Sequence, residues 1–331
     1  MYRLPSLLRI SAVVVFLISV LPAHAQQSVV SSDFFVNNSG VFIHVHEKVG
    51  AQPTKVPVLL IHGTWGNAQT WDFPGRSVMD HLAVRGYDVY ALDLRGEGSS
   101  GPLPVDYRSI DILNRVTDAA AVAGAIQGKT GRAPVVIGWS QGGVIAGILA
   151  TNPATAPLVA GVGLFSVAPD GFTVPPQFGP LLQEIILFDP PSVQLTEAEV
   201  NSVLFGIDPI TGNPTMSAAA EDNFFAISAP DIDSTLAIEE EVSPAFFGAV
   251  LGPVNPAGQP LGWGRIHVPA LVVDGALDPL VGTDLADQLF GLLTGTMNKQ
   301  LIVFPRNSHA WFLEDNHDAT VRVFDQFLSQ F

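Results

Sequence analysis

Short apolar runs alternate with amphipathic stretches along most of the chain. Residues 33–36 and 41–47, around an Asn37-Asn38-Ser39-Gly40 turn, predict a β-hairpin. Residues 56–61 (VPVLLI) form a continuous apolar run, the mark of a strand buried on both faces. Runs at 87–94, 134–138, 158–166, 270–274 and 301–304 predict five further strands. Between them, apolar positions at helical spacing predict helices over 78–85, 110–126, 141–150, 283–293 and 319–331. Strands alternating with helices imply an eight-stranded, mostly parallel α/β sheet with helices on both faces, its first two strands antiparallel.

The alternation stops between residues 168 and 267. That stretch is rich in Pro, Phe and acids, as in FTVPPQFGPLLQEIILFDPP, and offers short helical segments at 196–205 and 238–251 but no second set of buried strands. At roughly 100 residues it is too long for a structureless loop in a compact domain, so a mainly helical cap is expected. The cap would split a core made of residues 26–167 and 268–331. Residues 1–25 read as a secretory signal: Arg3 and Arg9, an apolar run, then Ala23-His24-Ala25 as a small-x-small cleavage site. The apolar run falls short of the about 20 residues a membrane span needs, so the mature chain is expected from Gln26, with no stable membrane anchor and a secreted or periplasmic location.

Composition narrows the picture further. The chain has 331 residues, 15 Lys plus Arg against 31 Asp plus Glu, and a net charge of −16 that becomes −18 once Arg3 and Arg9 leave with the signal. This acidity argues against nucleic acid as a partner, because phosphates need cationic side chains to displace counterions. Hydrophobic residues at 47 % with charged residues at 14 % exclude a disordered chain. The absence of cysteine excludes disulfides, thiolate metal sites and a cysteine nucleophile.

Three segments carry candidate chemistry. Residues 135–143 (VVIGWSQGG) run a strand into Gly138-Trp139-Ser140-Gln141-Gly142 and then a helix, the G-x-S-x-G nucleophile elbow. Ser140 must stand clear of the sheet on a sharp turn where side chains two residues either side would collide, hence the glycines. Residues 60–66 (LIHGTWG) end another buried strand and suit an oxyanion hole, with the backbone N–H of Thr64 pairing with that of Gln141. His62 precedes this turn and reads as a structural histidine. After the cap come ALVVDGALDPLVGTD and LIVFPRNSHAWFLEDN. They supply Asp278 and His309, each just past the carboxyl end of a strand, in the order Ser140, Asp278, His309 expected of this architecture. Asp278, rather than Asp274 at the strand end, is expected to orient His309, and His317 is expected to face solvent.

These segments resemble the α/β-hydrolase superfamily, in its cap-bearing serine esterase branch. HGTWGNAQTW is similar to the family's oxyanion segment, DLRGEGSS (93–100) to its D-x-x-G-x-G-x-S loop, GWSQGG to the elbow, GALD to the acid and SHAWFLED to the histidine segment. Ser308 stands where the family often has glycine, and Gly282 where proline is common; neither position carries chemistry. The resemblance implies an α/β-hydrolase fold and a serine hydrolase without cofactor. Ser140 would be nucleophile, His309 base and Asp278 its orienting acid, acting on a small-molecule carboxylic ester that is neutral or apolar. The same residues would serve a lactone, amide, peroxide or carbon–carbon bond, or a ligand-binding protein of the same fold. Serine at position 140 disfavours the branch with an aspartate nucleophile.

Other features have plainer readings. His44 and His46 alternate on a strand face, but two ligands make no metal site. Asp170 reads as a turn residue and Glu239-Glu240-Glu241 as a solvated helix face. Trp65, Trp139 and Trp311 flank the candidate site and would either line a substrate pocket or pack.

Overall fold

The computed structural model describes residues 28–51, 53–101, 110, 112–169, 196–238 and 262–331. The segments 1–25, 170–191 and 239–251, with the signal, Asp170, the Pro-rich stretch, the three consecutive glutamates and most of the expected 238–251 helix, lie outside them.

Eight strands build one sheet: β1 (Val30–Asn38), β2 (Val41–Val49), β3 (Val58–Ile61), β4 (Asp88–Leu92), β5 (Val135–Trp139), β6 (Gly161–Phe165), β7 (Ala270–Gly275) and β8 (Lys299–Phe304). Their spatial order is β1-β2-β4-β3-β5-β6-β7-β8. β2 pairs antiparallel with β1 and β4; every other pairing is parallel. The hairpin closes in a tighter turn than the sequence suggests, with Asn38 already opposite Val41. Ser39 and Gly40 both take positive φ (55° and 93°), as a two-residue type I′ turn demands.

Helices α1 (Val78–Ala83), α2 (Ile112–Thr130), α3 (Gln141–Thr151), α4 (Glu197–Leu204), α5 (Ala218–Ile238), α6 (Gly282–Leu292), α7 (His317–Thr320) and α8 (Arg322–Leu328) complete the described elements. The expected helix over 319–331 is two pieces. Thr320 Oγ1 donates to His317 O (3.2 Å), a local bond that competes with the regular helical ladder. α5 is a helix the sequence reading did not place.

Because side chains alternate along a strand, each central strand feeds two cores. Val58, Leu60, Val135 and Ile137 face one, with Met79, Leu82, Phe324 and Phe327 of α1 and α8. Leu59, Ile61, Val136 and Val162 face the other, with Val122, Ile145 and Leu289 of α2, α3 and α6. Double burial explains why β3 to β7 read as unbroken apolar runs. The insertion between β6 and β7 docks on the first core through Val200, Leu204, Met216 and Phe224. Phe205 and Phe224 meet edge to face at 5.7 Å. No helix of the described residues is long and apolar enough to cross a membrane.

Candidate active site

Ser140 sits between the end of β5 and the start of α3 with φ 53° and ψ −120°, a backbone conformation L-residues rarely adopt. The turn leaves no room for side chains beside it. A Cβ on Gly138 would lie 2.0 Å from Gly142 O, and one on Gly142 would lie 2.3 Å from Ile61 O and 2.4 Å from His62 O. The second glycine is thus demanded by the neighbouring strand exit, not by the turn alone. Ser140 N–H donates to Phe165 O (2.8 Å), tying the turn to β6. At the amino end of α3, Gly143 and Val144 donate to Ser140 O, while the N–H of Gln141 has no backbone acceptor among the described residues. A helix start of this kind favours negative charge.

The chain leaving β3 passes beside this turn, with Gly63 packed against Ser140 and Trp139. His62 is fully buried. Its Nε2 accepts from Leu94 N–H (3.0 Å), so Nδ1 carries the proton and donates to Gly63 O (2.8 Å). Burial pushes its pKa down to about 4, keeping the ring neutral. The histidine therefore fixes the loop that presents Thr64 and Trp65, the latter at φ 61°. Beyond it, Asp93 accepts from Ala68 N–H and Ser99 N–H, both at 2.7 Å. Its β4 exit, the DLRGEGSS segment, thus braces the loop after β3.

Arg115 and Glu97, both about 1 % exposed, pair at 2.7 Å behind the elbow, and Arg115 Nη1 donates to Gln141 Oε1. Sequence reasoning missed this pair. Its one signal is an arginine beside Ile112, Val116 and Ala119, on the buried face of α2.

On the far side, His309 Nδ1 donates to Asp278 Oδ2 at 2.7 Å, with both residues buried. Asp278 Oδ1 accepts from Leu280 N–H (2.7 Å) and Val281 N–H (3.0 Å). Burial would lift the Asp278 carboxyl, but the adjoining His309 and the loop donors hold it below its ordinary range. Asp274, next to last in β7 and fully buried, accepts from Gly275 N–H (2.8 Å). Trp139, next to Ser140, brings the histidine loop to the elbow: Nε1–H donates to His309 O (2.9 Å), and its ring centroid lies 5.6 Å from the imidazole.

The histidine loop is held by a residue the sequence reading passed over. Glu314, fully buried, accepts from Ser308 N–H (2.9 Å), Ser308 Oγ, Thr215 Oγ1 (3.0 Å) and Asn307 Nδ2 (2.6 Å). Ser308, where a glycine was more usual, thereby has a structural task. Its hydroxyl also lies 2.9 Å from Leu204 O of the insertion. His317 is a correction: it is buried, with Nδ1 2.7 Å from Phe312 O, because the short α7 folds under the aromatic cluster.

Of the three tryptophans, Trp139 and Trp311 are fully buried members of the aromatic core, Trp311 packing on Phe165 at 5.0 Å. Packing is their role in this geometry, and Trp65, at 9 % exposure, belongs to the same core. His44 and His46 are spoken for by carboxylates. His44 lies 2.8 Å from Asp93 and 3.1 Å from Asp33, and His46 lies 2.7 Å from Asp33 and 3.3 Å from Asp72. Among the described residues no group of three or more such side chains could hold a metal ion.

No curated protein matches the sequence. Solved structures do match in shape. An enol-lactonase from Burkholderia xenovorans is 17 % identical, with 89 % of this chain and 99 % of that one covered at a TM-score of 0.65. A putative aryl esterase from Burkholderia cenocepacia is 22 % identical over 90 % and 98 %, at 0.63. An esterase from Exiguobacterium antarcticum is 19 % identical over 89 % and 98 %, at 0.66. At these identities the likeness is one of fold. The sequence model of the alpha/beta hydrolase family matches residues 58–323, from β3 into α8, spanning the elbow, the acid and the histidine, and the chain therefore belongs to that family.

Proposed function

We propose that this hydrolase is an exported serine esterase that cleaves a neutral or apolar carboxylic ester through an acyl-enzyme. The observation that carries the reading is a buried Asp278–His309 pair at 2.7 Å, whose loop is hydrogen-bonded to the residue preceding a serine held at positive φ. In this mechanism Ser140 Oγ attacks the ester carbonyl and His309 takes its proton. The tetrahedral oxyanion is held by the backbone N–H groups of Thr64 and Gln141. His309 returns the proton to the leaving alcohol, and water, activated by the same imidazole, releases the acid. Asp278 keeps Nδ1 protonated so that the other ring nitrogen is the base. The neutral His62 and the Arg115–Glu97 pair take no proton; they fix the two donor-bearing segments. No step calls for a cofactor or metal. The net negative charge disfavours polyanionic substrates.

A fluorophosphonate probe with a panel of p-nitrophenyl esters tests this. Wild-type protein is expected to label at Ser140 alone and to turn over esters. Ser140→Ala is expected to lose labelling and about 10⁶ in kcat. Full labelling or unchanged turnover of Ser140→Ala would remove the assignment. Export rests on residues 1–25, and amino-terminal sequencing of the exported protein is expected to begin near Gln26; an intact Met1 in a membrane fraction would overturn it.

A further inference from the structure

Asp274 has a feature that ion pairing and turn formation leave unexplained. It is fully buried. Its Oδ1 accepts from Gly275 N–H (2.8 Å) and lies 3.2 Å from Ser166 Oγ. Its Oδ2 is buried too and meets no donor. The tight turn after β7, in which Asp278 N–H donates to Gly275 O (3.0 Å), brings a second buried carboxyl group, that of Asp278, beside Asp274, and the two interact. Two buried carboxylates side by side repel, and one proton between them turns the repulsion into a hydrogen bond.

The surroundings decide which of the two carries that proton. Asp278 accepts from two loop N–H groups and from His309, all of which favour its ionised form. Asp274 has one backbone N–H and no cation. Ser166 adds little, because its single hydroxyl proton is shared between two acceptors, His309 O at 2.9 Å and Asp274 Oδ1 at 3.2 Å. We propose that Asp274 is a neutral carboxylic acid whose Oδ2–H donates to Asp278, making it a positioning residue for the acid of the proposed Ser140–His309–Asp278 triad. The pKa directions agree: burial, then the charge of Asp278, lifts Asp274 to about 9, while Asp278 is held low.

The consequence is structural and chemical. Asp278 is held by four donors: the Leu280 and Val281 N–H groups, His309 Nδ1–H and the Asp274 hydroxyl. The carboxylate cannot rotate away from the imidazole without leaving one of them unpaired. Ser166 extends the same brace to the backbone of His309, and it does so at φ 51°, a conformation that costs a serine free energy. The sequence hides this role. Asp274 precedes the G-x-x-D acid by four residues and reads as an ordinary strand-end aspartate.

The proposal rests on the esterase reading for its kinetic consequences but not for the state of Asp274, so the test has two arms. In the first, Asp274→Ala and Asp274→Asn are assayed on a p-nitrophenyl ester across pH. Asparagine mimics the neutral acid, since its N–H₂ can donate to Asp278 and its oxygen can accept from Gly275. Asp274→Ala is expected to lose roughly 10- to 100-fold in kcat with KM little changed, the size typical of losing an outer partner of a functional side chain. Asp274→Asn is expected to rescue most of that loss and to lack the alkaline decline near pH 9 that the wild type shows as Asp274 ionises beside Asp278. In the second arm, infrared difference spectra on the Ser140→Ala background compare Asp274 with Asn at this position. A protonated-carboxyl C=O band at neutral pH, absent from the Asn variant, is expected whether or not Ser140 is a nucleophile. It remains readable if Asp274→Ala fails to fold. Absence of that band, or an Asn variant as slow as the Ala variant, would overturn the proposal.

Discussion

Gly142→Ala is the most informative single substitution at the elbow. The new Cβ would lie 2.3 Å from Ile61 O and 2.4 Å from His62 O. Both atoms are backbone at the exit of central strand β3, so no rotamer change relieves the contact. Restoring an ordinary separation requires about 1 Å of relative movement between β3 and α3. Overpacking of this kind costs about 1–3 kcal/mol, and fixed backbone on one side puts this case at the upper end. The helix gains up to about 1 kcal/mol from replacing glycine by alanine, leaving a net loss of about 2 kcal/mol. The same 1 Å separates Ser140 from the loop bearing Thr64, and a displacement of that size costs about 10²-fold in rate. Urea unfolding beside kcat/KM on an ester measures both. Gly124→Ala is the control, because a Cβ there has nothing within 4 Å. That identical change in α2 is expected to stabilise by about 0.5–1 kcal/mol with activity unchanged. If Gly142→Ala is as stable and as active as the wild type, glycine at 142 is not set by the β3 exit, and the account of the elbow fails.

Three further outcomes follow from other parts of the molecule. Arg115→Met is expected to destabilise by about 3–5 kcal/mol, because Glu97 loses the buried guanidinium it pairs with at 2.7 Å. Arg115→Met combined with Glu97→Gln is expected to recover part of that in urea unfolding. His44 and His46 bridge carboxylates of β1, the β4 exit and the loop after β3. The hydrogen bonds of His44 to Asp93 and of His46 to Asp72 raise both imidazoles above their ordinary range, against burial. Their contribution is therefore complete below about pH 6.5 and lost as pH climbs through the raised values. The fall in Tm between pH 6.5 and 8.5 is expected to shrink in His44→Gln, and an unchanged fall would refute it. Ser140→Gly, which takes positive φ freely, is expected to unfold at higher urea than Ser140→Ala, the strain of about 1–3 kcal/mol outweighing the added unfolded-state entropy of about 0.4–1 kcal/mol. Equal midpoints would mean that the turn stores no strain.

The sequence by itself determined the order of elements and the identity of the residues at strand exits. Strands buried on both faces announce themselves as apolar runs, which is why β3 to β7 were legible to within a few residues and why Ser140, Asp278 and His309 could be placed just past strand ends. Local patterns also marked His62 as structural, since it precedes a turn. What spacing cannot encode is which polar groups meet across the sheet. Arg115 on α2 reaches Glu97 and Gln141, Glu314 gathers Ser308, Asn307 and Thr215, and Asp274 is buried beside the Asp278 turn. Arg115 with Glu97 and Gln141, and Glu314 with Thr215, join separate segments, and even where the partners share one loop nothing in the local pattern of either marks the other. Burial against neighbours decided the rest. Trp139 and Trp311 went into the core and His317 under it, because aromatic and imidazole rings near a site are equally good packing, and only the tertiary arrangement says which surface remains open. The helix over 218–238 escaped for the opposite reason: it carries little of the 3.6-residue stripe that reveals a helix from sequence, although Ala220 and Phe224 anchor it on the core.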